Sequence, residues 1–91
     1  MPRAKIFVVR TSDSIYQVIV QEGDSRTTHD VTVTDQHVVR YAPGATAERL
    51  LEASFEFLLE REPKEAILPR FDLSVIERYF PEYAHTISGR L

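Results

Sequence analysis

Along residues 46–62, TAERLLEASFEFLLERE, apolar and acidic positions separate with the period of a helix. At roughly 100° per residue, Leu50, Leu51, Ala53, Ser54, Phe55, Phe57 and Leu58 form a broad apolar arc, and Glu48, Glu52, Glu56 and Glu60 climb the opposite stripe. Thr46 is placed to accept a hydrogen bond from a first-turn N–H, Glu48 and Arg61 suit the two ends of the macrodipole, and Pro63 forbids continuation. Residues 47–62 are therefore expected to be the innermost helix of the domain.

Earlier in the chain the period falls to two. Residues 5–10 hold the run Ile6, Phe7, Val8, Val9, which predicts a strand buried on both faces. Residues 11–14 read as a turn. Residues 15–21 alternate, with Tyr16, Val18 and Val20 on one face and Gln17 and Gln21 on the other. After a reversal at 22–25, residues 26–33 alternate again, with His29, Val31 and Val33 inward and Thr28, Asp30 and Thr32 outward. A three-stranded antiparallel meander follows.

Residues 34–42, TDQHVVRYA, fit a short helix or a further strand; Thr34 as N-cap, Asp35 in the first turn and Pro43-Gly44 as a stop favour the helix. Residues 64–70 read as a connector, with room for one helical turn. Residues 71–83, FDLSVIERYFPEY, read as a second amphipathic helix, started by an Asp72 cap with a Phe71–Ile76 staple or by a Ser74–Glu77 capping box. Leu73, Val75, Ile76, Tyr79 and Phe80 share its apolar side, expected to fold back over Phe55, Leu58 and Leu59. Residues 84–91 read as a loose tail. The fold class is α+β: the meander, covered on one face by two or three helices, in a single domain over residues 1–91 (sheet 5–33, helical part 34–83, tail 84–91).

Two likenesses bear on this reading. The block FLLEREPKEAILPRFDLSVIERYFPEY at 57–83 resembles the C-terminal part of a family of small bacterial proteins with no activity attached; it implies a structural signature and no site residues. The order VTVT at 31–34, a short helix, then ATAERLLEASFEFLLER at 45–61 resembles ribbon-helix-helix regulators, implying an obligate dimer that binds DNA. The chain departs from that pattern in its short first helix, in the outward Asp30, and in having no outward base on the strand beyond Arg26.

Composition narrows the function classes. Ninety-one residues, 43% hydrophobic and 27% charged, suit one ordinary globular core that buries roughly 60 to 65% of the unfolded surface. With no cysteine, disulfides, thiolate catalysis and cysteine-ligated zinc are excluded. The N-terminal apolar run is too short for an export signal and no stretch approaches a membrane span, so a cytoplasmic protein with no membrane association is expected. Net charge is -3, with five acids and five bases in residues 1–45 and nine acids and six bases in 46–91, which disfavours nucleic acid as a partner.

Candidate chemistry is thin. His29, His37 and His85 have no metal-ligand spacing, no serine sits in a nucleophile elbow, and glycines 23, 44 and 89 form no phosphate loop. His29 and Asp30, adjacent on a strand, point to opposite faces. No catalytic residue, metal or cofactor is expected. The acidic stripe Glu48, Glu52, Glu56 and Glu60 carries three like-charged i, i+4 pairs, which Arg49 and Lys64 can offset in part. It reads either as a solvated face or as a docking face for a basic partner. The leading expectation is a non-catalytic protein-interaction module that binds a protein partner or itself; alternatives are a ribbon-helix-helix-like DNA-binding regulator or antitoxin, and a small enzyme.

Overall fold

The computed structural model describes residues 4–91; Met1 to Arg3, part of the stretch read for an export signal, lie outside the described residues. The chain is α+β. Strands β1 (Lys5–Arg10), β2 (Ile15–Glu22) and β3 (Ser25–Thr32) form the expected meander, followed by helices α1 (Asp35–Tyr41) and α2 (Ala47–Leu59), a 3-10 turn (Lys64–Ala66), strand β4 (Arg70–Asp72), and helices α3 (Val75–Tyr79) and α4 (Tyr83–Ser88).

Alternation sets the sheet's orientation as read: Tyr16, Val18, Val20, His29 and Val31 are buried on the face that meets the helices. Gly23, at φ +58°, turns the chain between β2 and β3, a backbone state that costs a glycine little. Thr34 caps α1, its hydroxyl accepting from the His37 amide while His37 Nδ1 accepts from the Thr34 amide, a capping box with histidine in the third place. Residues 34–42 are thus helical, as favoured. Thr46 caps α2 one way only, its hydroxyl accepting from the Arg49 amide. Leu50, Leu51, Ala53, Ser54, Phe55, Phe57 and Leu58 are all buried, so the apolar arc of α2 is the centre of the core. The helix itself stops at Leu59, and the following residues turn toward Pro63.

Four expectations about the elements need correction. The sheet has four strands, in order β1-β2-β3-β4, and β4 runs parallel to β3 through Asp30–Arg70, Val31–Phe71 and Thr32–Asp72. Three residues carry no period, so β4 leaves no mark in the pattern. In consequence Phe71 and Asp72 start no helix. Asp72 Oδ2 accepts instead from the Ser74 amide and hydroxyl, and Glu77 reaches Tyr41 and Arg40 rather than closing a capping box. Residues 84–91 are no loose tail: α4 buries Tyr83 and Ile87 completely. Finally, β1 is buried on one face only. It is an edge strand whose Ile6 and Val8 pack on the core while Phe7 and Val9 stand 47% and 50% exposed.

The C-terminal segment does fold back on α2. Phe71 lies 6.2 Å from Phe55 and Phe80 5.8 Å from Phe57, ring to ring. Tyr79, expected inside, is exposed: Ile76 and Phe80 meet the core, and the Tyr79 ring lies at the rim of a concavity beside them. Leu59 faces away from this segment and lines a groove beside β1.

Candidate functional site

Buried polar groups are the first place to look for chemistry, and here they hold the structure together. The Leu68 carbonyl can only accept, so His29 Nδ1 donates to it at 2.8 Å, while Nε2 meets the Thr27 hydroxyl at 2.8 Å. This pins the connector before β4 to the inner face of β3. Asp30 points outward as expected, 3.9 Å from Arg70. Ser54 donates to the Leu50 carbonyl within α2, leaving the Tyr83 hydroxyl to donate to Ser54 Oγ at 2.6 Å. Burial pushes the Tyr83 phenol far above its usual range, against the pull of the Ser54 bond. Among the described residues no buried side-chain nitrogen or oxygen lacks a hydrogen-bond partner.

Two polar clusters join α1 to the C-terminal segment. His37 Nε2 lies 3.3 Å from Asp72 Oδ2, which also takes the Ser74 hydroxyl. Although serine, aspartate and histidine meet here, the carboxylate sits between the other two, so the imidazole has no path to the hydroxyl proton and the geometry of a nucleophile with its base is missing. Burial works against the Asp72 carboxylate, but the Ser74 hydroxyl and amide and the nearby His37 hold it below its usual range. In the second cluster the Tyr41 hydroxyl and Arg40 both bind Glu77, at 2.8 and 2.9 Å, and lower its pKa.

The four glutamates of the stripe lie on one exposed face of α2, as the spacing requires. Three are paired within the chain. Arg49 reaches Glu52 at 3.0 Å and Glu56 at 3.9 Å, and Glu60 takes Arg90 and Arg61. The Arg90 bond holds the Glu60 carboxyl below its ordinary value. Lys64 does not help here: it is buried under Glu22 and Glu65, at 3.1 and 2.5 Å, and ties the connector to the end of β2. Its ammonium is held above the usual lysine range by the Glu65 bond, against the effect of burial.

Fold geometry adds what the stripe lacked, a wall opposite. Glu52, Glu56, Leu59 and Glu60 line an open groove of about 750 Å³ with Ala4, with Lys5 to Phe7 of β1, and with Glu22. Above that groove runs the outer edge of β1. The Thr11 amide donates to the Ile15 carbonyl at 2.9 Å, in line with the Lys5–Gln21, Phe7–Ile19 and Val9–Gln17 register. In an antiparallel ladder hydrogen-bonded pairs alternate. Odd residues of β1 therefore bond β2, and the amides and carbonyls of Ile6, Val8 and Arg10 face outward, with no partner strand among the described residues. On the sheet's outer face, Phe7, Val9 and Ile15 are exposed beside the half-buried Ile19. The opposite edge is blunted: β4 is three residues long and preceded by Pro69. Periodicity could signal β1 as a strand, but not that its edge is open.

A second concavity of about 360 Å³ lies between α2 and α3, walled by Leu58, Ile67, Phe71, Ile76 and Phe80 and rimmed by the exposed Leu68 and Tyr79. Apart from Glu62 and the Tyr79 phenol, the described residues that line it are apolar.

Among the described residues no helix is long and apolar enough to cross a membrane, and no group of three or more acidic or histidine side chains is arranged to hold a metal ion. No protein-family model matches the chain, and neither a curated protein nor a solved structure matches it.

Proposed function

We propose that this protein is a small non-catalytic interaction module that docks a protein along the outer edge of β1 and the acidic groove below it. The observation that carries this reading is the edge itself. Between its terminal charges, Lys5 and Arg10, β1 is a continuous apolar run, Ile6 to Val9, with no proline and no bulge, so most of the devices by which folded proteins protect an exposed strand are missing from its middle. An extended segment added there would satisfy the outward amides and carbonyls of Ile6, Val8 and Arg10, and its side chains would fall alternately on the Phe7–Val9 face and in the groove. Support also comes from the polar groups elsewhere, which are engaged with one another rather than aimed into a cavity.

The ribbon-helix-helix alternative draws less support. Its ribbon needs β3 to pair with β3 of a second copy, yet β2 and β4 occupy both edges of β3. The outward Asp30 would also stand against phosphate.

A Val8→Pro variant tests the docking reading. Val8 N–H points to the open edge, so proline removes an edge donor without touching the β1–β2 ladder. Capture of partner protein from native lysate, compared between wild type and this variant with an unchanged circular dichroism spectrum, should fall sharply. Equal capture by both would place docking elsewhere.

A further inference from the structure

We infer that the protein docked at this edge is a second copy of the same chain, the two β1 strands pairing antiparallel about Val8 to make one continuous sheet of eight strands, four from each copy. This rests on the reading of β1 as the docking edge and goes further by naming the occupant and the register.

Register follows from two constraints. Directly opposed residues in an antiparallel pair share a face, so the two numbers must have the same parity and their sum must be even. Only residues 6, 8 and 10 present free backbone groups within the strand. The one even register that pairs all three with one another sets Ile6 against Arg10 of the second copy, Val8 against its own equivalent, and Arg10 against Ile6, with two hydrogen bonds at each pair. Parity also keeps Lys5 from facing Arg10, the like-charge contact that a shifted register would make. On the outer face Phe7 then stands opposite Val9 of the second copy, and Val9 opposite Phe7, joining two exposed apolar patches into one.

Charge supplies the reason for a copy rather than an unrelated strand. Arg10 lies on the helix side of the sheet, since its register partner is the buried Tyr16. It is 55% exposed, bonded through its guanidinium to the Ser12 and Asp13 carbonyls, and 3.9 Å from an Asp13 carboxylate that is itself fully exposed. Pairing about Val8 places the second copy's Arg10 beside Ile6, over the groove lined by Glu52 and Glu56. Among the described residues those two carboxylates share a single arginine, Arg49. Each copy would thus donate one guanidinium to the other's acidic groove, in two equivalent contacts related by the two-fold axis.

Native mass across a concentration series tests this directly: the expected species has twice the 10.5 kDa of one chain. Val8→Pro should weaken the dimer by roughly tenfold to a hundredfold, since it removes two symmetric hydrogen bonds. Arg10→Glu should also weaken it, with partial recovery when Glu56→Arg is added. The chain has no cysteine, so single replacements report register cleanly. Oxidising an equimolar mixture of Phe7→Cys and Val9→Cys chains should give the crosslinked dimer, which neither variant gives alone, because residue 7 directly faces residue 9 of the other copy while two residues 7, or two residues 9, are diagonal neighbours beyond disulfide reach. Monomeric mass at all concentrations, or crosslinking of each variant alone as readily as the mixture, overturns the inference. Such a result leaves the docking reading to its own edge-dependent capture, so the two fail separately.

Discussion

Replacing Tyr83 by phenylalanine should cost little at neutral pH and should then stop costing anything as the solution becomes alkaline. The Tyr83 ring is fully buried, 5.1 Å from Tyr41 and 5.4 Å from Phe57, and only its hydroxyl is lost in the variant. Ser54 Oγ keeps its bond to Leu50 and loses one donor, a change worth roughly 0.5 to 1.5 kcal/mol. In the folded chain burial holds the phenol protonated far above its usual range, whereas in the unfolded chain it ionises near pH 10. Above that value the unfolded state binds fewer protons than the folded one, so stability falls as pH rises, by about 1.4 kcal/mol per pH unit from this group alone. The variant lacks that contribution. Its stability curve should therefore start below that of wild type and meet it near pH 11. Tyr41, raised first by burial and then by its bond to Glu77, and Lys64, raised by Glu65, lose stability in the same direction in both proteins and cancel in the comparison. Urea denaturation followed by circular dichroism from pH 7 to 11.5 measures both curves. Parallel curves would refute the reasoning, since they require a Tyr83 that ionises in the folded protein and hence an α4 that is not docked.

Ile87→Ala should destabilise by roughly 2 to 4 kcal/mol, and a chain ending at Glu82 should show no cooperative thermal transition, because Tyr83 and Ile87 are both fully buried against the core; calorimetry checks each. The Glu77 carboxyl is held below its usual range by the Tyr41 hydroxyl and then by Arg40, so its contribution is present above the ordinary glutamate range and is lost as pH falls through the depressed value. Glu77→Gln should accordingly flatten the acid limb of the stability curve below about pH 4.5, a change that denaturation at stepped pH would reveal. A gel shift at low salt should find no sequence-selective DNA binding, and selective sub-micromolar binding that disappears on replacing Arg26, Thr28 and Thr32 would restore the regulator reading.

What could be read from the pattern depended on how each element meets solvent. Strands β2 and β3 alternate because one face is wet and the other dry, and α2 shows its arc because acids line the opposite side; both survive intact in the fold. Helix α1 was legible through Thr34 and Pro43-Gly44, local signals that need no tertiary partner. By contrast β4 exists only because the core delivers Arg70–Asp72 alongside β3, and α4 only because Tyr83 and Ile87, four residues apart, find α2. That spacing, with Gly89 just beyond, was a helix signal present in residues 83–89 and outweighed by the proximity of the chain end.

The error at β1 is the informative one. Four consecutive apolar residues at 6–9 imply cover on both faces, since a strand that shows one face to water normally alternates with polar side chains. Phe7 and Val9 break that rule in the single chain, at 47% and 50% exposure, and they do so beside a row of unpaired backbone groups. The acidic stripe deviates in a related way: its spacing placed Glu52 and Glu56 together, but β1 lies more than forty residues away and periodicity could not show that it forms the facing wall. Both departures fall on the same surface. Arg10, the one base on the helix side of that strand, has among the described residues only backbone carbonyls and a distant, fully exposed carboxylate for company. A strand that reads as buried, a groove that is acidic and an underused arginine at the strand's far end are what two antiparallel copies would reconcile, because antiparallel pairing alone carries Arg10 from the far end of one strand to the acidic end of the other.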